Sequence, residues 1–150
     1  MAYEVGNQAI SVPASADLSA KQFLFGTIGA TGVAVTGAGL AADGVIADKP
    51  AAAGRPCALY ATPGMVVKVM CGAAVANGAL LEADAAGKAV TQAAGKILAR
   101  ALAAGAGDGS IIPALLILQR ESTNKRVRTR LRAARLRGLF YCPHRQRKEN

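Results

Sequence analysis

Glycine sets the limits on what this chain can fold into. Sixteen of the glycines fall within residues 1–118 and divide that stretch into short pieces. Each glycine in a helix interior costs about 1 kcal/mol relative to alanine, so the alanine-rich stretches between them do not add up to helices. A 3.6-residue apolar periodicity is not sustained in any piece, whereas short β-branched runs bounded by turn residues recur throughout.

The runs can be read in order. "KQFLFGTIG" (21–29) places Phe23 and Phe25 on one face of a strand and Leu24 on the other. "GVAVTG" (32–37) and "GVIADKP" (44–50) follow, the second stopped by Pro50. "CALYATPG" (57–64) ends in a Pro-Gly turn, and "MVVKVMCG" (65–72) is the clearest strand, with Lys68 as its one charge. Asn77-Gly78 signals a turn before "ALLEA"; "DAAGK" (84–88) reads as a hairpin loop before "AVTQ"; "AAGK" (93–96) turns again before "KILARAL". The flexible "AAGAGDGS" (103–110) leads into a last strand, "IIPALLIL" (111–118). Proline lacks a ladder N–H, so Pro113 is expected at a sheet edge or in a bulge. "KPAAAGRP" (49–56) has room for one helical turn between its prolines. Strands at this spacing predict an all-β fold, a small antiparallel β-barrel or sandwich with short strands and Gly-rich turns. A basic C-terminal extension, disordered or one helix, follows it.

Charge separates the chain into two parts. The formal net charge is +9. Residues 1–118 carry seven basic and seven acidic side chains, which cancel, whereas residues 119–150 carry eleven basic and two acidic ones. The expected organisation is a β-rich domain over 1–118, with an extended N-terminal arm over about 1–20, and a basic tail over 119–150. The neutral body has no electrostatic reason to seek nucleic acid. With three Phe, three Tyr and no Trp in the whole chain, it offers no row of stacking platforms for single strands. Alanine inflates the apolar share and buries little area per residue, so the core is thin and association with copies or a larger surface is expected to support it. "MAYEVGNQAI" lacks the basic and apolar stretches of a signal peptide, and no apolar run reaches membrane-spanning length.

Residue types that carry chemistry are present without the arrangement chemistry needs. "GTIGATG" (26–32) has the spacing G-x-x-G-x-x-G and lacks a terminal Gly-Lys-Ser/Thr, so it reads as a strand bend, not a phosphate loop. "GAGDGS" (105–110) offers a cation only the carboxylate of Asp108. Glu82 and Asp84 share one strand face beside a hairpin and read as solubilising charges. Cys57, Cys71 and Cys142 show no CxxC spacing and are read as reduced thiols; the single histidine, His144, is separated from Cys142 by one residue, with no third group to orient it. No catalytic, cofactor-binding or metal-binding residue is therefore assigned, no cofactor is implied, and the chain is not read as an enzyme.

The pattern over 44–118 resembles the small capsid cement, or head decoration, proteins of tailed bacteriophages. The resemblance is carried by "GVIADKPA", the Val-rich strand pair after it, "VANGALLEADAAGKAV", the "ARAL" strand, the Gly-rich loop and the closing "IIPALL"; "SADLSAKQFLFGTI" fits the family's first strand. It implies a small β-rich virion protein, made in the host cytoplasm and set on the outer capsid surface. It further implies that the protein binds the major capsid protein, stabilises the head and forms a homo-oligomer, often a trimer, without a cofactor. On this reading the N-terminal segment "MAYEVGNQAISVPASAD" and edge strands are contact elements by strand addition.

Residues 119–150 depart from that family. Val127, Leu131 and Ala134 stand at helical spacing within "RESTNKRVRTRLRAARLRGLF". Arg126, Arg128, Arg130, Arg132, Arg135 and Arg137 are the candidate contacts for an anionic capsid surface or for nucleic acid. A basic arm, a disordered extension and an out-of-frame extension remain open readings of this segment. A nucleic-acid-binding protein acting through the tail is the alternative function.

Overall fold

The computed structural model describes residues 9–119, and every structural statement below concerns those residues. They form ten strands and no helix: β1 (Ala9–Pro13), β2 (Phe25–Gly29), β3 (Gly32–Val35), β4 (Gly44–Ile46), β5 (Pro56–Tyr60), β6 (Val66–Met70), β7 (Leu80–Ala83), β8 (Ala89–Thr91), β9 (Ala99–Ala101) and β10 (Ile111–Leu116). Two five-stranded antiparallel sheets result, ordered β1-β5-β4-β2-β3 and β6-β10-β9-β7-β8. The all-β expectation holds, in the form of a sandwich and not of a closed barrel. Each sheet curls so that its end strands approach at one isolated parallel bridge without pairing as a ladder, Ala14 to Val33 in the first and Cys71 to Ala89 in the second.

The two orders are the same order: β1 to β5 recur as β6 to β10. The correspondence reaches individual backbone bonds. Ser15 N–H donates to Val33 C=O as Gly72 N–H does to Ala89 C=O; Gly54 N–H donates to Ala14 C=O as Gly109 N–H does to Cys71 C=O. Leu18 N–H donates to Pro50 C=O as Val75 N–H does to Gly105 C=O; Ala47 N–H donates to Ala58 C=O as Leu102 N–H does to Pro113 C=O. The chain is thus a structural duplication, with halves running over 9–61 and 66–118. Gly78, with φ of 80°, has Phe23 as its counterpart, and Phe23 is held at φ of 67°. Phe23 therefore starts no strand; β2 begins two residues later.

Each curl encloses its own apolar side chains, and the alternation of strand residues decides which. In the first half these are Ala14, Leu18, Val33, Ile46, Cys57 and Leu59. Gly26 leaves room among them, since a Cβ there would lie 3.1 to 3.2 Å from Ile46, Leu59 and Val33. The second half gathers a larger cluster that includes Val67, Val69, Leu81, Leu98, Ala99, Ile112, Ala114 and Leu116. Phe25, Ala42 and Val45 of the first half belong to this second cluster, and Tyr60 packs against it. Strand β4 is consequently buried on both faces, Ile46 within the first curl and Val45 against the second half.

Three expectations are corrected. Pro113 lies in β10, a central strand between β6 and β9, with unbroken register against β6. It is tolerated there because its C=O accepts the Leu102 N–H at 2.9 Å, so its ring nitrogen faces the side on which β9 pairs no further than Ala101. Residues 49–56 contain turns and the start of β5 but no helical turn, the chain folding back through Arg55 N–H to Ala52 C=O. From Ala9 onward the expected N-terminal arm is part of the fold: β1 pairs with β5, and Ala14 and Leu18 are buried.

Candidate interaction surface

Four carboxylates of the described residues, those of Glu82, Asp84, Asp17 and Asp43, accept backbone N–H groups in loops, whereas Asp48 Oδ1 is buried without a hydrogen bond. Glu82 Oε2 accepts the N–H groups of Ala93 and Gly95 at 3.2 and 2.6 Å, closing the turn after β8. Asp84 Oδ1 accepts those of Ala86 and Lys88, both at 2.8 Å, in the β7–β8 hairpin. Asp17 caps Ser19 N–H, and this bond holds its carboxyl below the usual range. Asp43 Oδ2 accepts Ile28 N–H at 2.8 Å. Glu82 and Asp84, read from sequence as solubilising charges, are therefore loop clamps.

Asp108 does not face a cation site; it forms an exposed ion pair with Lys88 at 2.6 Å. That hydrogen bond lowers the Asp108 pKa and raises that of Lys88. The stretch 26–32 is most of strand β2 and the tight turn into β3, in keeping with its reading as a bend. Among the described residues no group of three or more His, Cys, Asp and Glu gathers closely enough to hold a metal ion. Cys57 and Cys71 are buried free thiols in different halves. Burial, with Asp48 beside it, pushes the Cys57 thiol up to about 11, and burial also raises Cys71. The six candidate arginines Arg126 to Arg137, with Cys142 and His144, lie outside the described residues.

The described surface is notable for apolar side chains on outward strand faces. On β6 and β10 the cross-strand pairs Met70–Ile111, Lys68–Pro113 and Val66–Leu115 all point away from the core. Val66 and Ile111 are 55% and 49% exposed. Antiparallel sheets ordinarily turn a polar face to water, so this row departs from the expected alternation. Ile10, Ile28, Leu40 and Leu102 are further exposed large apolar residues. Lys68 is the one charge in this row; its apolar members do not stand out in the sequence because the alternate residues of their strands are equally apolar. Only the register shows which of them face out.

Comparison of the chain with family models, with curated proteins and with solved structures gave no match.

Proposed function

We propose that this protein is a structural virion component that binds the outer surface of a tailed-phage capsid through the major capsid protein and stabilises the head. The observation that carries the reading is the outward row Val66, Met70, Ile111, Pro113 and Leu115 on paired strands, apolar but for Lys68. A rigid sheet face of this kind loses solvent contact at little conformational cost when it lies on another protein. Neutral charge over residues 1–118 and the occupation of Glu82 and Asp84 as loop clamps favour attachment over turnover. The resemblance in residues 44–118 supplies the kind of surface. Weak contacts repeated over a symmetric shell add up to firm attachment.

The test is to add purified protein to expanded, undecorated heads. It is expected to cosediment with them and to raise their thermal stability, and Ile111→Asp is expected to weaken both effects. Absence of binding and of stabilisation by the unmodified protein would end this reading.

The arginine-rich segment favours a second reading, nucleic-acid binding through residues 120–148. Deleting that segment distinguishes the two, since head binding survives the deletion on the first reading and nucleic-acid binding is abolished on the second.

A further inference from the structure

The two halves of the chain meet through different surfaces. The first half contributes the outward face of its middle strands, Phe25, Val45 and Tyr60, which pair laterally across β2, β4 and β5. The second half contributes the interior side of its curl and the β7–β8 hairpin. Phe25 N–H donates to Gly87 C=O at 2.9 Å, Met70 N–H to Phe23 C=O at 3.0 Å, and Gly39 N–H to Ala83 C=O at 2.8 Å. The contact is heterologous, a face on an open curl. In a face-to-face contact, the counterparts of Phe25, Val45 and Tyr60 would be buried as well. Those counterparts are Leu80, Arg100 and Leu115; Leu80 and Leu115 are only half-buried and Arg100 is exposed.

The receiving surface shows the matching asymmetry. In the second half Val67, Val69, Ala83 and Leu116 are 5%, 0%, 1% and 1% exposed. Their counterparts in the first half are Ile10, Val12, Ile28 and Ala61. Ile10 and Ile28 sit directly opposite the core residues Leu59 and Val33, so both point to the inner side of the curl, yet they are 41% and 39% exposed. Val12 and Ala61 are half-buried. The duplication thus leaves one mating face uncovered at each end of the molecule, a face on the second half and an open curl on the first.

The sequence has changed these two free surfaces in a complementary way. Val45 and Leu98 lie in the same buried cluster. The counterpart of Val45 is Arg100; the counterpart of Leu98 is Asp43, whose N–H donates to Gly26 C=O as that of Leu98 does to Leu81 C=O. Two members of the apolar cluster inside the chain thus have as counterparts a basic residue on one free surface and an acidic residue on the other. Asp43 also accepts the N–H of Ile28, which places its carboxylate at the free curl.

We propose that copies of this chain associate head to tail, with Leu80, Arg100 and Leu115 of one copy seated on Ile10, Val12, Ile28 and Ala61 of the next, repeating between molecules the contact that joins the halves. A heterologous contact of this kind closes into a ring where its rotation allows and otherwise runs on as a filament; in either, first and second halves alternate. The proposal is independent of the capsid reading: a chain that assembles but ignores heads keeps the former and loses the latter.

The test measures the mass of the full-length chain by light scattering after size exclusion, over a range of concentrations. The unmodified chain is expected to run as an oligomer. Ile28→Lys blocks the curl and Leu80→Lys blocks the face, and each is expected to reduce the mass to that of a monomer with an unchanged circular dichroism spectrum. Mixed together, the two variants still share one intact pair of surfaces and should form a heterodimer that grows no further. Where Leu80→Lys does not fold, Arg100→Glu tests the same face through an exposed side chain. A monomeric unmodified chain, an oligomer unaffected by these substitutions, or a mixture of the two variants that remains monomeric would overturn the proposal.

Discussion

Gly39, between β3 and β4, and Gly95, between β8 and β9, lie against each other, a Cβ on Gly39 falling 3.3 Å from the Cα of Gly95. Backbone meets backbone here, so neither residue has a flexible neighbour to move aside. A Cβ on Gly95 would also lie 2.7 Å from Glu82 Oε2, the atom that clamps the loop. Gly95→Ala is expected to lower stability by about 1–3 kcal/mol, the usual range for overpacking a tight contact. The check is the midpoint of chemical denaturation at constant slope.

Gly78 and Gly107 separate backbone strain from lack of space. A Cβ meets nothing within 4 Å at either position, but Gly78 has φ of 80° and Gly107 has no such constraint. Gly78→Ala is expected to destabilise by about 1 kcal/mol, because a side chain disfavours the left-handed region. Gly107→Ala is expected to be neutral or stabilising by up to about 1 kcal/mol through the unfolded chain. Thermal melts of the pair provide the comparison.

The thiols give a dependence on alkaline pH. The Cys57 pKa is raised from 9.0 in the unfolded chain to about 11 in the fold. Its contribution to stability is complete below pH 9.0 and is lost as pH rises through about 11, where the native thiol ionises. Denaturation midpoints are therefore expected to fall over this window, and Cys57→Ser or Cys57→Ala to flatten the fall. Peptide mapping after brief alkylation at neutral pH should find Cys57 and Cys71 unmodified, and both modified in denaturant.

The Lys88–Asp108 pair is exposed, so its effect is small and sensitive to salt. Asp108 has a lowered pKa, so its contribution is present above its unfolded value of 3.8 and is lost as pH falls through the lower folded value. Lys88 has a raised pKa, so its contribution is present below 10.5 and is lost as pH rises through the higher folded value. Asp108→Asn is expected to shift the neutral-pH melt slightly at low salt and not at all at high salt.

Much of the architecture was legible from local chemistry. "GVAVTG", "CALYATPG" and "MVVKVMCG" carry β3, β5 and β6 where β-branched residues stand between turn residues. "DAAGK" forms the β7–β8 loop, with Gly87 at φ of 75°. The interaction surface was less legible. Val66 and Val67 are adjacent and chemically identical, yet one is 55% and the other 5% exposed. Strand register makes that difference, and sequence pattern does not disclose it when both faces are apolar.

Composition and spacing alone determined that this chain forms short strands, that its body is neutral and that its positive charge lies beyond residue 118. Those properties follow from glycine's cost in helices and from counting charges, both local. The duplication was decided only by the tertiary structure. Corresponding positions hold residues as unlike as Phe23 and Gly78, or Val45 and Arg100, because a fold repeats its backbone bonds while each side chain answers to its own surroundings. The three-dimensional contact between the halves also decided which mating surfaces are covered and which stay open.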